Sequence, residues 1–240
     1  MLFSLLQADS LASAVQAAPA AVEERTFSLI EMAQKGGWLM IVLLILSVIA
    51  IYIFAKKLVE INKAAKVDKN FIDDIRDYIH DGKVKSAITL CTKHDNPTAR
   101  MVEKGLERMG RPLSDIQTAV ENAGNLEVSR LEKSLPFLAT IAGGAPMIGF
   151  LGTVSGMVKA FFNMSNNGNN IDITMLSGGI YEAMITTVGG LIVGIIAYFG
   201  YNYLTSRISD VVYTLEDTTI EFMDVLNEPE SAETVEKTQE

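Results

Sequence analysis

Residues 149–156 read GFLGTVSG and residues 182–190 read EAMITTVGG, and these two stretches decide the fold. The first lies in a run from Ser134 to Val158 without a charged side chain, and the second begins with Glu182, after which the chain stays uncharged from Ala183 to Ser206. A helix needs about 20 apolar residues to cross the bilayer core, so both runs predict transmembrane helices. Their Gly, Ala, Ser and Thr residues favour close helix–helix contact over contact with lipid tails.

The composition of the 240 residues also indicates an integral membrane protein. Hydrophobic residues make up 49% of the chain and mean hydropathy is +0.25, which soluble domains rarely combine with several long uncharged runs. Net charge is −9, but the basic residues are interleaved with acids, which does not favour nucleic-acid binding. Cys91 is the one cysteine, so an intrachain disulfide is excluded.

A third uncharged run, residues 37–55, precedes the other two and carries Trp38 and Tyr52 near its ends, as interfacial anchors do. Five lysines follow it at once, namely Lys56, Lys57, Lys63, Lys66 and Lys69. The positive-inside rule therefore places that end in the cytoplasm and the N-terminus outside.

These patterns predict an all-α integral membrane protein with three spans and a small helical cytoplasmic domain, the second and third spans extending into the cytoplasm. We expect an extracytoplasmic N-terminal segment (1–36), a first span (37–55), the cytoplasmic domain (56–133), a second span (134–160), an outer loop (161–175), a third span (176–206), its cytoplasmic extension (207–227) and a disordered acidic tail (228–240).

Within the cytoplasmic domain, apolar residues recur at helical spacing and glycines punctuate them. Helices are expected to end at Gly82 and Gly110, and Thr98 is placed to cap the helix that ends at Gly110. The last helix of the domain has no evident stop before the second span, so we expect one continuous helix that Pro136 kinks or loosens.

The third span also has no stop at the membrane surface, because an apolar stripe continues from Ile208 to Leu226. A helix that projects beyond lipid with an apolar face needs partners. The stripe therefore suggests an oligomeric bundle.

Thr153 and Thr187 are the first candidate functional residues, because both fall near mid-membrane depth at a similar level. A hydroxyl at that depth can hold a water molecule or a partner side chain. The alternative is that each hydroxyl bonds the carbonyl four residues earlier in its own helix.

Glu182 borders the third span, where an ionised carboxylate should face water or a bundle interior. It is a candidate proton or cation relay, or an entrance charge. The alternative is an interfacial acid that the helix dipole favours. Thr186, four residues on, shares its face.

Five glycines repeat at small-residue spacing in the two spans and predict close packing between them: Gly149, Gly152, Gly156, Gly190 and Gly194. His80 and His94 are not accompanied by ligands at metal spacing, and we find no phosphate loop or nucleophile motif. We therefore expect no metal, no cofactor and no enzymatic activity.

The two stretches carry a family resemblance. Residues 149–154, preceded by Ala145-Pro146, resemble the second-span signature of the ExbB/TolQ/MotA proton-channel family, and residues 182–187 resemble its third-span signature. The likeness covers residues 135–202, and the order of parts along the chain fits as well. The chain most resembles the ExbB branch, because MotA-type chains have an extra span.

This resemblance implies a homopentamer in the bacterial inner membrane, with a periplasmic N-terminus and the second and third helices around a central pore. A single-span partner of the ExbD type would sit in the pore and supply an aspartate as the proton carrier. Thr153 and Thr187 would lie beside that aspartate, and Glu182, with Thr186 on its face, would match the family glutamate at the pore. Proton flow would then drive a TonB-type protein and energise transport across the outer membrane.

Two other functions stay open. A TolQ-like subunit of the Tol-Pal envelope system would share the mechanism and differ in its partner. A passive oligomeric scaffold would use the small-residue faces for assembly alone. The channel and scaffold hypotheses differ at Thr153, Thr187 and Glu182, whose hydroxyls and carboxylate the channel would use.

Overall fold

The computed structural model describes residues 36–66, 70–166 and 173–227, and these parts of the chain contain helices and no strand. The helices are α1 (Gly37–Ala64), α2 (Phe71–His80), α3 (Val84–Lys93), α4 (Pro97–Leu106), α5 (Leu113–Glu132), α6 (Leu135–Asn166) and α7 (Ile173–Asn227). Three helical stretches are long and apolar enough to cross a membrane. The predicted all-α membrane class is confirmed. The acidic tail and all of the predicted N-terminal segment except Gly36 lie outside the described residues.

Helices α6 and α7 form an antiparallel pair held at close range by small residues. Gly156 of α6 faces Ala183 of α7, whereas Gly149, earlier in α6, faces Gly190, later in α7. Helix α1 lies along this pair, parallel to α7, because Met40 contacts Gly189 at one end and Phe54 contacts Gly200 further on.

All three long helices run past the predicted spans. Helix α1 continues nine residues beyond position 55 to Ala64. Residues 161–166 and 173–175, predicted as loop, are helical ends of α6 and α7. No proline or glycine interrupts these segments, so nothing in the sequence stops the helices at the end of the apolar run.

The ends of the short helices follow their glycines. Gly82 and Gly110 have φ angles of +68° and +90°, which suit glycine and close the turns after α2 and α4 as predicted. The predicted cap at Thr98 is wrong. Pro97 takes the first position of α4, so Asn96 is the N-cap and its side chain accepts a hydrogen bond from Ala99 N at 2.7 Å.

The helix runs into the second span as predicted, because residues 113–166 form one helical stretch. It loosens at residues 133–134, between α5 and α6, where the ring of Pro136 clashes with the carbonyl four residues earlier, at Glu132.

Helix α7 is 55 residues long, so it extends for about 80 Å without interruption. Ile208, Leu215 and Phe222 on its predicted stripe are buried. Their cover comes from the same chain, as Phe222 packs beside Gly105 of α4 and Val120 of α5. The stripe therefore does not itself require a second chain, and the oligomer stays a prediction that the family resemblance carries.

Candidate functional site

The hydroxyls of Thr153 and Thr187 meet at the α6–α7 contact and hydrogen-bond one another. Both also lie within reach of the Gly149 carbonyl oxygen, Thr153 Oγ1 at 3.3 Å and Thr187 Oγ1 at 3.0 Å. For Thr153 this is the carbonyl four residues back in its own helix, as the alternative interpretation expected. For Thr187 the bond crosses to the other helix, so the two residues form one polar unit.

The threonine pair has more hydrogen-bond acceptor sites than its own protons can fill, so some of its lone pairs stay free. Each hydroxyl has one proton and two lone pairs. When Thr187 donates to Gly149 O, Thr153 can donate to Thr187 Oγ1, and the lone pairs of Thr153 stay available. A protonated carboxyl group or a water molecule is the kind of donor that such an oxygen accepts.

The predicted packing glycines bring the threonine pair together. A Cβ on Gly190 would lie 2.6 Å from Ala145 O and 2.9 Å from Gly149 Cα, and one on Gly149 would lie 2.9 Å from Thr186 O. Backbone atoms cannot move aside as a flexible side chain can, so only glycine permits this approach. The other three glycines also lie in the contact: Gly152 against Thr186, Gly156 against Ala183 and Gly194 against Pro146.

The threonine pair lies on the side of α7 turned away from α1. Gly189 faces α1, where a Cβ would lie 3.0 Å from Met40 Sδ. Thr187 precedes Gly189 by two residues, which is about 200° around the helix. Its neighbours Met184 and Leu191 are 61% and 46% exposed. In the single chain the threonine pair therefore borders an uncovered face.

Glu182 and Thr186 lie on the α1 side of α7, away from the threonine pair. They line a cleft of about 160 Å³ together with Gly37 at the start of α1 and with Ser155 and Lys159 of α6. Thr186 is buried and donates to Ala183 O at 2.7 Å. The shared face of Glu182 and Thr186 is as predicted, but a single chain does not bring the four candidate residues together.

Sequence reasoning missed the contribution of Gly37 to this cleft. Gly37 has a φ of +66°, and a Cβ there would lie 2.5 Å from Glu182 Oε1. The signal was present, because a Gly-Gly pair immediately before an interfacial tryptophan marks a tight start to a membrane helix.

A second polar cluster, which we call the charge network, lies in the predicted cytoplasmic domain and was also missed. Glu127 of α5 is 5% exposed and accepts hydrogen bonds from Arg130 and from Arg100 Nη2, the latter at 2.7 Å. Asp95 Oδ1 accepts from Arg100 Nη1 at 2.8 Å, and Asp95 Oδ2 accepts from Lys63 of α1 at 2.7 Å. An acid on the apolar stripe of α5 is the pattern that could have revealed it.

The charges in this network shift one another's pKa values. The hydrogen bond and charge of Lys63, with the charge of Arg100, lower the pKa of Asp95. The hydrogen bond to Glu127 is the main cause that raises the pKa of Arg100. Nearby, burial raises the pKa of the Cys91 thiol to about 12, and the charge of Glu103 acts in the same direction.

Comparison with known proteins gives a family match and several relatives. Residues 93–217 match the model of the MotA/TolQ/ExbB proton channel family. The ExbB homolog of Methanothermobacter thermautotrophicus is 30% identical over 193 residues, which cover 79% of this chain and 67% of that protein. The Tol-Pal system protein TolQ of Haemophilus influenzae is 37% identical over 109 residues, covering 45% and 47%. The biopolymer transport protein ExbB of Xanthomonas campestris is 34% identical over 107 residues, covering 43% and 42%. The matches to these last two span less than half of each relative.

Proposed function

Since the chain belongs to the MotA/TolQ/ExbB proton channel family, we propose that it harnesses the proton motive force with an ExbD-type partner to energise TonB-dependent transport across the outer membrane. The family resemblance seen in residues 149–154 and 182–187 is confirmed, and the chain is a multi-pass membrane protein of the proton-channel type. The partner, the pentamer, the inner-membrane location and the orientation of the termini belong to the proposal.

The observation that carries this proposal is the threonine pair. Its hydroxyls lie at the α6–α7 contact, beside an uncovered face, with acceptor capacity left over. A scaffold that only packs helices uses the glycines and the bond from Thr187 to Gly149 O, but it gives no role to the acceptor capacity left on Thr153. A protonated carboxyl group on a neighbouring helix would find its acceptor there.

The proton carrier has to come from outside the chain. Lys159 and Glu182 are the only charged residues among positions 37–55, 135–166 and 173–206. Two charges at one end of the spans cannot form a continuous proton path across the bilayer. An aspartate on a single-span partner in the centre of a ring of five chains would supply the missing step.

A TolQ-like role in the Tol-Pal system is the second candidate function. The match to a TolQ protein, 37% identical over 109 residues, supports it. The same threonine pair would operate in both systems, each with its own single-span partner. The identity of the partner that co-purifies with the chain therefore distinguishes the two systems.

The test removes both hydroxyls and keeps the shape of the side chains. Thr153→Val with Thr187→Val should abolish energised outer-membrane uptake, while the size of the extracted complex stays unchanged. Thr140→Val is the matched control, because Thr140 is an exposed threonine of α6 that bonds Pro136 O at 2.8 Å in its own helix. Uptake that survives in the double variant would leave the passive scaffold as the better description.

A second measurement addresses the partner directly. The complex is extracted gently from native membranes and its components are weighed by mass spectrometry. We expect five copies of the chain and a small single-span protein with an aspartate in its span. A complex that lacks such a protein contradicts the proposal independently of the threonine variants.

A further inference from the structure

We propose that a cleft between α1, α6 and α7 binds one acyl chain of an anionic phospholipid, and that Arg207 at the mouth of this cleft binds the lipid phosphate. This inference concerns the end of the spans where the lysines lie. It is independent of the threonine pair and of the proposed transport function.

The cleft has a volume of about 300 Å³ and an apolar lining. Its walls include Ala50 and Phe54 of α1, Leu138 of α6, and Ala197, Gly200 and Tyr203 of α7. The missing side chain of Gly200 keeps the cleft open, since a Cβ there would lie 3.1 Å from Phe54 Cδ2 and 3.8 Å from Leu138 Cδ2.

The cleft opens to the surface that the spans present to lipid. Ile51, Phe199 and Tyr203 on its lining are exposed, although they lie in segments apolar enough to cross the membrane. The volume is at the lower limit of about 300 Å³ found for small-molecule sites, which suits one hydrocarbon chain and not a bulky ligand.

Arg207 stands directly above this cleft. It follows Tyr203 by four residues, so it lies on the same face of α7 one turn nearer the membrane surface. Its guanidinium makes only long hydrogen bonds, at 3.4 Å to Asp210 Oδ2 and 3.4 Å to Asn62 Oδ1. Its Nε is buried and has no hydrogen-bond partner within the described part of the chain, so it does not face the lipid. Nη1 and Nη2 each make one of these bonds and each carries a second N–H, which is the donor capacity left for a phosphate.

The two lysines that follow the α1 wall of the cleft do not share this position. Lys57 is buried and engaged, with its Nζ 2.9 Å from Glu60 Oε2 and 3.2 Å from Arg130 O. Lys56 is exposed, but it lies about 160° around α1 from Phe54 and so points away from the cleft. Arg207 is the cation that a headgroup would meet when its acyl chain lies beside Phe54.

A phospholipid fits the order of these features. Its hydrocarbon chain would lie in the cleft and cover the apolar lining, and its phosphate would lie at the level of Arg207. A guanidinium binds phosphate with two parallel hydrogen bonds, which the long contacts to Asp210 and Asn62 do not prevent. Asp210 is the one carboxylate that contacts Arg207 and Asn62 is neutral, so these contacts do not exclude an anionic headgroup.

The first test reports lipid contact at position 203. Trp38 is the one tryptophan of the chain, so Trp38→Phe with Tyr203→Trp places a single fluorophore on the cleft. The protein is reconstituted in phosphatidylcholine vesicles that contain a small fraction of brominated phosphatidylglycerol or brominated phosphatidylcholine. We expect brominated phosphatidylglycerol to quench at about fivefold lower fraction, the factor that one arginine near an anionic surface provides.

Two charge variants in this background assign the preference. Arg207→Gln should remove it, and Lys56→Gln, which deletes a charge at the same end of α1 away from the cleft, should keep it. Equal quenching by the two brominated lipids, or a preference that persists in Arg207→Gln, would overturn the proposal.

A filling variant tests the cleft itself. Gly200→Leu should abolish phosphatidylglycerol retained through detergent washing, measured by native mass spectrometry. Gly178→Leu is the control, because a Cβ there meets no atom within 4 Å. Lipid retained equally in both variants would place the binding elsewhere.

The remaining occupant to exclude is a second copy of the chain. Tyr203→Cys with Cys91→Ala leaves a single thiol on the cleft. A disulfide-linked dimer formed in native membranes would show that protein covers this face and would also overturn the lipid site. We expect a single-chain band, without a disulfide-linked dimer, on a non-reducing denaturing gel.

Discussion

The α6–α7 contact and the charge network solve the same problem, the joining of helices, with opposite chemistry. The membrane contact uses glycines and two hydroxyls and contains no charge. The charge network joins α1, α4 and α5 through alternating acids and bases, with Glu127 buried at its centre. In lipid, close approach of backbones is favourable and a charged group is costly. At the domain surface, water screens and solvates the exposed charged side chains of the network. The two regions should therefore differ in what breaks them.

The largest effect is expected at Gly190, where added atoms meet backbone. Gly190→Leu should prevent the folded pair from forming, and Gly190→Ala should cost about 1–3 kcal/mol by overpacking. The measurement is thermal unfolding in detergent, followed by circular dichroism. Gly143→Ala is the control, since a Cβ there meets no atom within 4 Å and alanine favours helix. Equal stability of the two alanine variants would show that the α6–α7 contact can relax.

Glu127 is the corresponding test of the charge network. Glu127→Ala removes the acceptor of Arg100 and Arg130 and should cost about 2 kcal/mol, because hydrogen bonds to charged groups contribute about 1.5–3 kcal/mol each and both arginines are partly exposed. Unfolding by urea measures it. Glu107→Ala, at an exposed pair with Lys104, is the control and should change stability little.

These two regions also separate what sequence could predict from what it could not. The glycine spacing predicted close helices, and the depth of Thr153 and Thr187 placed them at one level, because both follow from the fixed rise of a helix. Which way Glu182 points depends on the rotation of α7 against α1, which composition does not determine. Glu127 pairs with Arg130 at the local i,i+3 spacing of α5, but its other partner, Arg100, lies 27 residues back on α4, and local patterns do not encode that pairing.

Cys91 gives a pH-dependent prediction within the domain. Burial raises its pKa to about 12, so the folded thiol stays protonated at pH values where an unfolded thiol, with a pKa of about 8.5, ionises. The contribution of this group to stability is full below pH of about 8.5 and is lost as pH rises towards 12. Alkylation at pH 9 should therefore be slow in the folded protein and fast in urea. Rapid alkylation of the folded protein would show that the helices around Cys91 open readily.

The smallest effect is expected at Asp95, whose ion pairs with Lys63 and Arg100 lie in water. Its pKa is lowered by Lys63 first and Arg100 second, so the folded state favours the ionised carboxylate. That stability is present above the unfolded pKa of about 3.9 and is lost as pH falls through the lower folded value. Asp95→Asn should therefore unfold slightly earlier than the parent at pH 7, with the gap closing as pH falls below the folded pKa of Asp95 and narrowing as salt rises. A gap that persists in strong acid would mean that Asp95 contributes through packing, and the charge network would then resemble the membrane contact more than its ions suggest.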